Sequence, residues 1–240
     1  INIHSARSLD FTPFFLFYET QAARAMNIDI QPKRISGEAL EYVNSLIEAY
    51  EKPLTAYAER LLWWNSKVNL LSRNADLKII EKHIVHSLLL ATASGFTKEQ
   101  RLIDIGSGGG LPGIPLAICF PEKQVVLLDR VAKKCAAMQD MTAHLKLKNT
   151  AVEAKDLKMF HVKHTDFSWV SKHAIKLNDF LRLTQDKPGN RAYFLKGDDY
   201  EAELALATEA AVELYDYDIA AAVPDDFYTG KRILVLHKSE

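Results

Sequence analysis

Between Ser36 and Ser94 the apolar positions fall three and four residues apart. Leu40, Val43, Ile47 and Tyr50 form one set, Leu54, Tyr57, Leu61 and Trp64 a second, and Ile80, Ile84 and Leu88 a third. An α-helix repeats every 3.6 residues or about that, so each set lies on one helical face. Ser36 offers the hydroxyl that an N-cap needs, and Lys52-Pro53 parts the first helix from the second. Residues 1–35 are mixed and aromatic, and partial helix packed on the body is expected there.

After Gly95 the texture changes. Short apolar runs at residues 101–105, 124–128, 151–153, 167–171 and 192–195 read as strands, with helical patterns at 113–120 and 131–145 between the first three. Strands alternating with helices predict a parallel sheet wrapped on both faces. The last apolar stretches, 212–217 and 233–237, have only a loop between them, which predicts an antiparallel hairpin closing the sheet edge. The expected fold class is α/β: a Rossmann-like domain over residues 95–240, preceded by a helical segment over residues 1–94.

Composition sharpens this only in part. A chain of 240 residues, 48% apolar and 25% charged, suits one folded α/β core with an appendage. Cys119 and Cys135 both sit inside apolar helical patterns, so no disulfide framework is expected and a reducing, cytoplasmic compartment fits. The early apolar run at residues 14–18 is too short to cross a bilayer, and no membrane association is expected. The net charge of −1 hides an uneven distribution: residues 197–226 hold ten acidic residues and no Lys or Arg, leaving 30 basic against 21 acidic residues elsewhere. Such an excess attracts phosphate by releasing counterions, although an ordinary solvated surface has the same composition.

The segment from Leu102 to Gly113, Leu-Ile-Asp-Ile-Gly-Ser-Gly-Gly-Gly-Leu-Pro-Gly, carries the chemistry. Glycines directly after a strand let the backbone turn tightly and approach a ligand, and the following helix aims its N–H groups at that place. Two ligands compete. A dinucleotide fingerprint is found at Gly108, Gly110 and Gly113, but the glycine that closes the strand is Gly106, and counting from it puts Leu111 where the third glycine belongs. Asp104 adds negative charge that repels a pyrophosphate and favours the amino group or sulfonium of S-adenosylmethionine. Asp129, ending the second strand, suits ribose hydroxyls in either case.

At these residues the chain resembles the RsmG (GidB) family, methyltransferases of guanine N7 in small-subunit (16S) ribosomal RNA. The resemblance rests on Trp64-Asn65 with Asn69-Leu70, His83-Ile-Val-His-Ser-Leu88, the glycine loop through Leu-Pro-Gly-Ile-Pro115, Leu127-Leu-Asp129, Val170-Ser-Lys172 and Leu195-Lys-Gly197. It implies a class I methyltransferase sheet, S-adenosylmethionine as cofactor, and 16S RNA or the small ribosomal subunit as partner. It also implies donor contacts at Gly106, Gly108, Gly110 and Leu111, the ribose at Asp129, and the adenine beside Leu157 and Lys158. Lys158 stands where the family has an acidic side chain, and Lys172, which the resemblance places at the donor as well as the substrate, where it has an arginine, which exchanges a bidentate fork for a point charge.

Guanine N7 carries a lone pair and no proton, so alignment matters more than a general base. Lys172 and Lys196 are the candidates for steering phosphate or meeting the guanine edge, where O6 and N7 both accept hydrogen bonds. His83 and His86 lie three apart without a third ligand at matching spacing, so no metal is expected. Trp63 and Trp64 have core spacing with Tyr57 and Leu61, base stacking being the other use of such rings; Lys133 and Lys134 read as a solvated face. A monomer is expected. The competing functions are a methyltransferase fold with weakened catalysis that binds RNA, and an NAD-dependent oxidoreductase.

Overall fold

The computed structural model describes residues 28–162, 164–189, 191–204 and 212–238. Of the helix expected over residues 1–35, the part up to residue 27 lies outside the described residues. At Ile28–Lys33 the chain forms a strand instead, β1, on the outer edge of the sheet and parallel to β7 (Val212–Asp218). Pro32 is tolerated there because an edge strand leaves one row of N–H groups unpaired.

Three helices follow: α1 (Gly37–Ala49), α2 (Glu51–Asn65) and α3 (Leu77–Leu88). The Ser36 hydroxyl accepts from the Ala39 N–H at 3.1 Å, the cap expected. Tyr50 joins α1 to α2, and Pro53 sits in the first turn of α2, where a missing N–H removes no intrahelical bond. Asp76 caps α3 through the Ile79 N–H at 2.9 Å.

The remaining strands are β2 (Arg101–Ile105), β3 (Gln124–Asp129), β4 (Thr150–Ala154), β5 (Ser168–Lys172), β6 (Arg191–Gly197) and β8 (Lys231–Lys238). Between them lie α4 (Gly113–Cys119), α5 (Ala132–His144), α6 (Leu177–Thr184) and α7 (Tyr200–Leu204). The eight strands are ordered β4-β3-β2-β5-β6-β8-β7-β1. β2 to β6 pair in parallel, and β8 runs antiparallel to both β6 and β7. The expected hairpin is therefore present but does not close the sheet, because β1 adds one more strand beyond it.

Alternation along the strands divides the apolar residues between two faces. Leu102, Val170 and Tyr193 join Leu40, Tyr57, Leu61, Ile84 and the α4 and α5 residues in one cluster; Ile103, Trp169 and Phe194 join Phe180 and Leu181 in the other. The first cluster runs across residue 94, so the helical segment and one face of the sheet share a core.

Candidate functional site

The chain leaves β2 toward β3 and β4 on one side and returns to β5 on the other, so β2 and β5 flank a change in strand order. In open parallel sheets the crevice beyond the carboxyl ends at such a point is where ligands bind. Gly106 follows β2 directly, and Gly106, Gly108 and Gly110 take φ values of 68°, 58° and 88°, a region side chains avoid. A Cβ at Gly106 would strike the Ala174 side chain, so the segment after β5 lies against the glycine loop. A Cβ at Gly108 meets nothing closer than the Gly106 carbonyl at 3.8 Å, which leaves open space beside that residue.

The loop's N–H groups are mostly spent inside the protein. Gly106 and Ser107 donate to the Leu128 carbonyl, Gly110 and Leu111 to the Ser107 carbonyl, and Gly108 to Asp129 Oδ2 at 3.0 Å. Leu111 turns its side chain into the core. The first N–H of α4 is not free either, a departure from the sequence expectation: Gly113 donates it to Asp104 Oδ2 at 2.9 Å. Asp104 is fully buried beneath the loop, and burial raises its pKa to about 7, opposed by the Gly113 bond. It anchors the loop from below. Its other oxygen, Oδ1, is buried without a hydrogen-bond partner among the described residues. A carboxylate occupying the helix N-terminus also removes the feature a pyrophosphate would use.

Asp129 ends β3 with both oxygens engaged, Oδ2 by Gly108 and Oδ1 by the Val131 N–H at 2.9 Å. Each oxygen keeps a second lone pair for a hydroxyl. Val131 and Met159 are 40% and 67% exposed, apolar surface on the loops after β3 and β4. Leu157 is buried in the second cluster, and Lys158 carries its charge outward with its N–H capped by Asp156. The residues collected at this end thus combine a carboxylate with accepting capacity to spare and exposed apolar surface.

Lys172 and Lys196 separate. Two residues beyond Val170, Lys172 extends toward the helical segment, where Nζ lies 3.0 Å from His83 Nδ1. Two residues beyond Phe194, Lys196 extends to the opposite face, 5% exposed, with Nζ 2.6 Å from both Glu203 Oε2 and the Ile175 carbonyl. Glu203 also accepts the Leu177 N–H at 2.8 Å, so Lys196 holds the 175–177 turn, and the substrate contact expected of it is not offered here. Burial, then the Lys231 ammonium, lowers the Lys172 pKa to about 8.

Comparison with known proteins matches residues 50–221 to the family model described as rRNA small subunit methyltransferase G, GidB. The chain belongs to this family. It is 40% identical over 166 residues to the ribosomal RNA small subunit methyltransferase G of Chlorobium phaeobacteroides, covering 67% of this chain and 73% of that one. It is 34% identical over 212 residues to the protein of that name from Flavobacterium johnsoniae, covering 83% and 96%. Among solved structures, the S-adenosylmethionine-dependent methyltransferase SibL superposes with a TM-score of 0.51 at 15% identity, covering 85% of this chain and 76% of that one, a likeness of fold.

Several motif residues behind the family resemblance serve to build the site. Asn65 Oδ1 accepts the Leu70 and Leu71 N–H groups at 3.0 and 2.8 Å, setting Leu70 close to Gly109. Ser87 bonds back to the His83 carbonyl, and Ser171 ties β5 to the Ile105 carbonyl at the end of β2. Tyr57, which periodicity marks only as core, donates its hydroxyl to the Gly109 carbonyl at 2.8 Å. Trp64 donates to Asp140, while Trp63 stays 44% exposed between the Arg60 and Lys67 cations. His83 and His86 face Phe227 and Tyr228, and no group of three or more metal-ligating side chains occurs among the described residues. Val131, Met159 and Tyr57 escaped the sequence reading because an apolar residue's exposure and a tyrosine's hydroxyl partner are tertiary facts.

Proposed function

We propose that this protein transfers the methyl group of S-adenosylmethionine to N7 of a guanine in 16S ribosomal RNA, as a cytoplasmic enzyme acting on RNA or the small subunit. The observation that carries the reading is the match of residues 50–221 to the small-subunit methyltransferase family, with the glycine loop inside it at the switch point of the sheet. The donor's ribose would meet Asp129, its adenine the surface of Val131, Leu157 and Met159, and its reactive end the space between Gly106–Gly110 and the turn after Lys172. S-adenosylmethionine supplies an electrophilic methyl group. The chain's own part is to hold it in line with an N7 lone pair that needs no deprotonation. Lys172 is the cation proposed to meet the acceptor nucleotide, while Lys196 positions the turn beside it.

Mapping methylated guanines in 16S RNA from cells with and without the protein tests the activity. A single guanine losing its modification is the expected result, and an unchanged map overturns the reading. Replacing that guanine by its 7-deaza analogue in vitro should abolish transfer while RNA binding falls by about 1–3 kcal/mol at most. Methylation of the deaza substrate would move the acceptor atom elsewhere.

A further inference from the structure

Outside the glycine loop, two lysines and two histidines converge from three elements. Lys172 ends β5, Lys231 begins β8, and His83 lies on α3 with its Nδ1 at 3.0 Å from Lys172 Nζ. His173, at φ 53° in the turn after Lys172, opens to solvent beside them. Lys231 and His83 both pack on Phe227, with the ammonium 3.9 Å and the imidazole 5.1 Å from its ring centre. Behind them His86 is fully buried, and neither ring nitrogen has a partner among the described residues.

Neither Lys172 nor Lys231 makes an ion pair among the described residues, although four acids face the group: Asp104, Asp225, and Asp198 and Asp199, which flank Gly230 and Gly197 beside Lys231. Asp104 sits under the loop on the Gly113 N–H, and Asp225 is taken by Lys82 and by the Phe227 N–H. The cluster is half-buried, so its charges are poorly screened. The Lys172 and Lys231 ammonium groups repel each other, and an anion between them relieves the repulsion. If Lys172 donates to Nδ1 of a neutral His83, the imidazole proton is on Nε2, which adds another donor. In keeping with this, burial and then the Lys172 ammonium lower the pKa of His83 to about 3.

We propose that Lys172, Lys231, His83 and His173 form a phosphate site that holds an RNA phosphodiester next to the methylated guanosine. This rests on the RNA methyltransferase reading given above. It assigns Lys231, which neither the glycine loop nor the family motifs single out, to acceptor binding. The site lies beside Gly106, because the turn that carries His173 continues into Ala174, which abuts that glycine. A phosphate fixed there sets the distance between the neighbouring base and the donor.

The test measures binding of an RNA fragment containing the target guanosine, and separately the affinity for S-adenosylmethionine. Lys231→Gln should weaken RNA binding about tenfold, leave donor affinity within about twofold, and be rescued by Lys231→Arg. His173→Asn removes the imidazole while keeping a residue that tolerates positive φ, and should weaken RNA binding in the same way. A single neutral methylphosphonate scanned along the RNA should cost the wild-type protein about tenfold at one linkage beside the guanosine and cost Lys231→Gln clearly less there, since Lys172, His83 and His173 remain. Unchanged RNA affinity in both folded variants overturns the proposal. So does a methylphosphonate penalty that persists in full in Lys231→Gln, or a loss confined to donor affinity, which would give the site to the donor's carboxylate. Methyl transfer by the wild-type protein is followed in parallel: its absence counts against the enzymatic reading, while the binding comparison still decides the phosphate site.

Discussion

Gly108 and Asp129 work as a pair, since the backbone of one is held by the carboxylate of the other. Gly108→Val meets no close neighbour, so the expected damage comes from φ 58°, which a β-branched residue adopts at a cost of about 1–2 kcal/mol, and from a side chain in the donor's space. Donor binding should disappear in calorimetry while circular dichroism stays that of the folded protein; full affinity in a folded variant would place the donor elsewhere. Asp129→Ala should lower donor affinity by about 1.5–3 kcal/mol, with Asn in between because it keeps one acceptor oxygen. An affinity equal to wild type would remove the ribose from Asp129. For Lys172 the charge is the variable. With its pKa lowered to about 8, single-turnover methyl transfer should be flat below that pH and fall above it, without the rising limb of a general base. Lys172→Arg keeps its proton and should lose the falling limb; a limb that persists in Arg would assign it to another group.

At the scale of elements, the glycine loop is pinned from above by α2 and from below by β2. Tyr57 bonds the Gly109 carbonyl, and a Cβ at Gly109 would come within 2.8 Å of Leu61 on the same helix. Tyr57→Phe keeps the ring and strands a buried carbonyl, so unfolding free energy should drop by about 1–3 kcal/mol. Because that carbonyl belongs to the loop, donor affinity should drop as well. A stability loss without any loss of affinity would mean that α2 merely covers the loop. The strands β2 to β6 were legible because each is a short apolar run between polar turns. β1 was not: its sequence Ile-Asp-Ile-Gln-Pro-Lys is an ordinary alternation, and only pairing with β7 decides that it is a strand.

For the whole molecule, acid stability follows from the histidines packed between the helical segment and the sheet. Burial, then the Lys172 ammonium, holds His83 at about 3 and His86 well below its ordinary value. Unfolded, both titrate near 6.5, so their contribution is complete above that pH and falls as protons bind the unfolded chain first. Asp104 acts in the opposite sense. Its pKa is raised from 3.8 to about 7, so its contribution is present at low pH and lost as pH rises through 7. His173, lowered to about 4 by burial, adds a third imidazole, so three against one carboxyl leave roughly two protons, and stability should fall by about 2.7 kcal/mol per pH unit between about pH 6 and 4.5, with His237, also lowered, adding to the slope. Denaturant titrations across that range check the slope, and His86→Asn should flatten it even if it lowers stability throughout. A slope unchanged in that variant would exclude His86 as its source.

The sequence by itself determined the alternation of strand and helix, the glycine loop and the acids at the ends of β2 and β3, because these depend on backbone freedom and local apolar period. It also carried the family motifs, since each is a contiguous run. Which face each lysine takes was decided by tertiary structure alone. Lys172 and Lys196 look equivalent as basic residues at strand ends, yet strand parity sends one to the cation cluster and the other to Glu203. That one oxygen of Asp104 takes up the Gly113 N–H likewise depends on where α4 starts. Lys231 and His83, 148 positions apart in the numbering, share the ring of Phe227 only because β8 inserts between β6 and β7 and α3 packs against the turn that leads into it. Periodicity reports which residues point inward, whereas the charge that meets a given charge depends on elements distant in sequence being brought together.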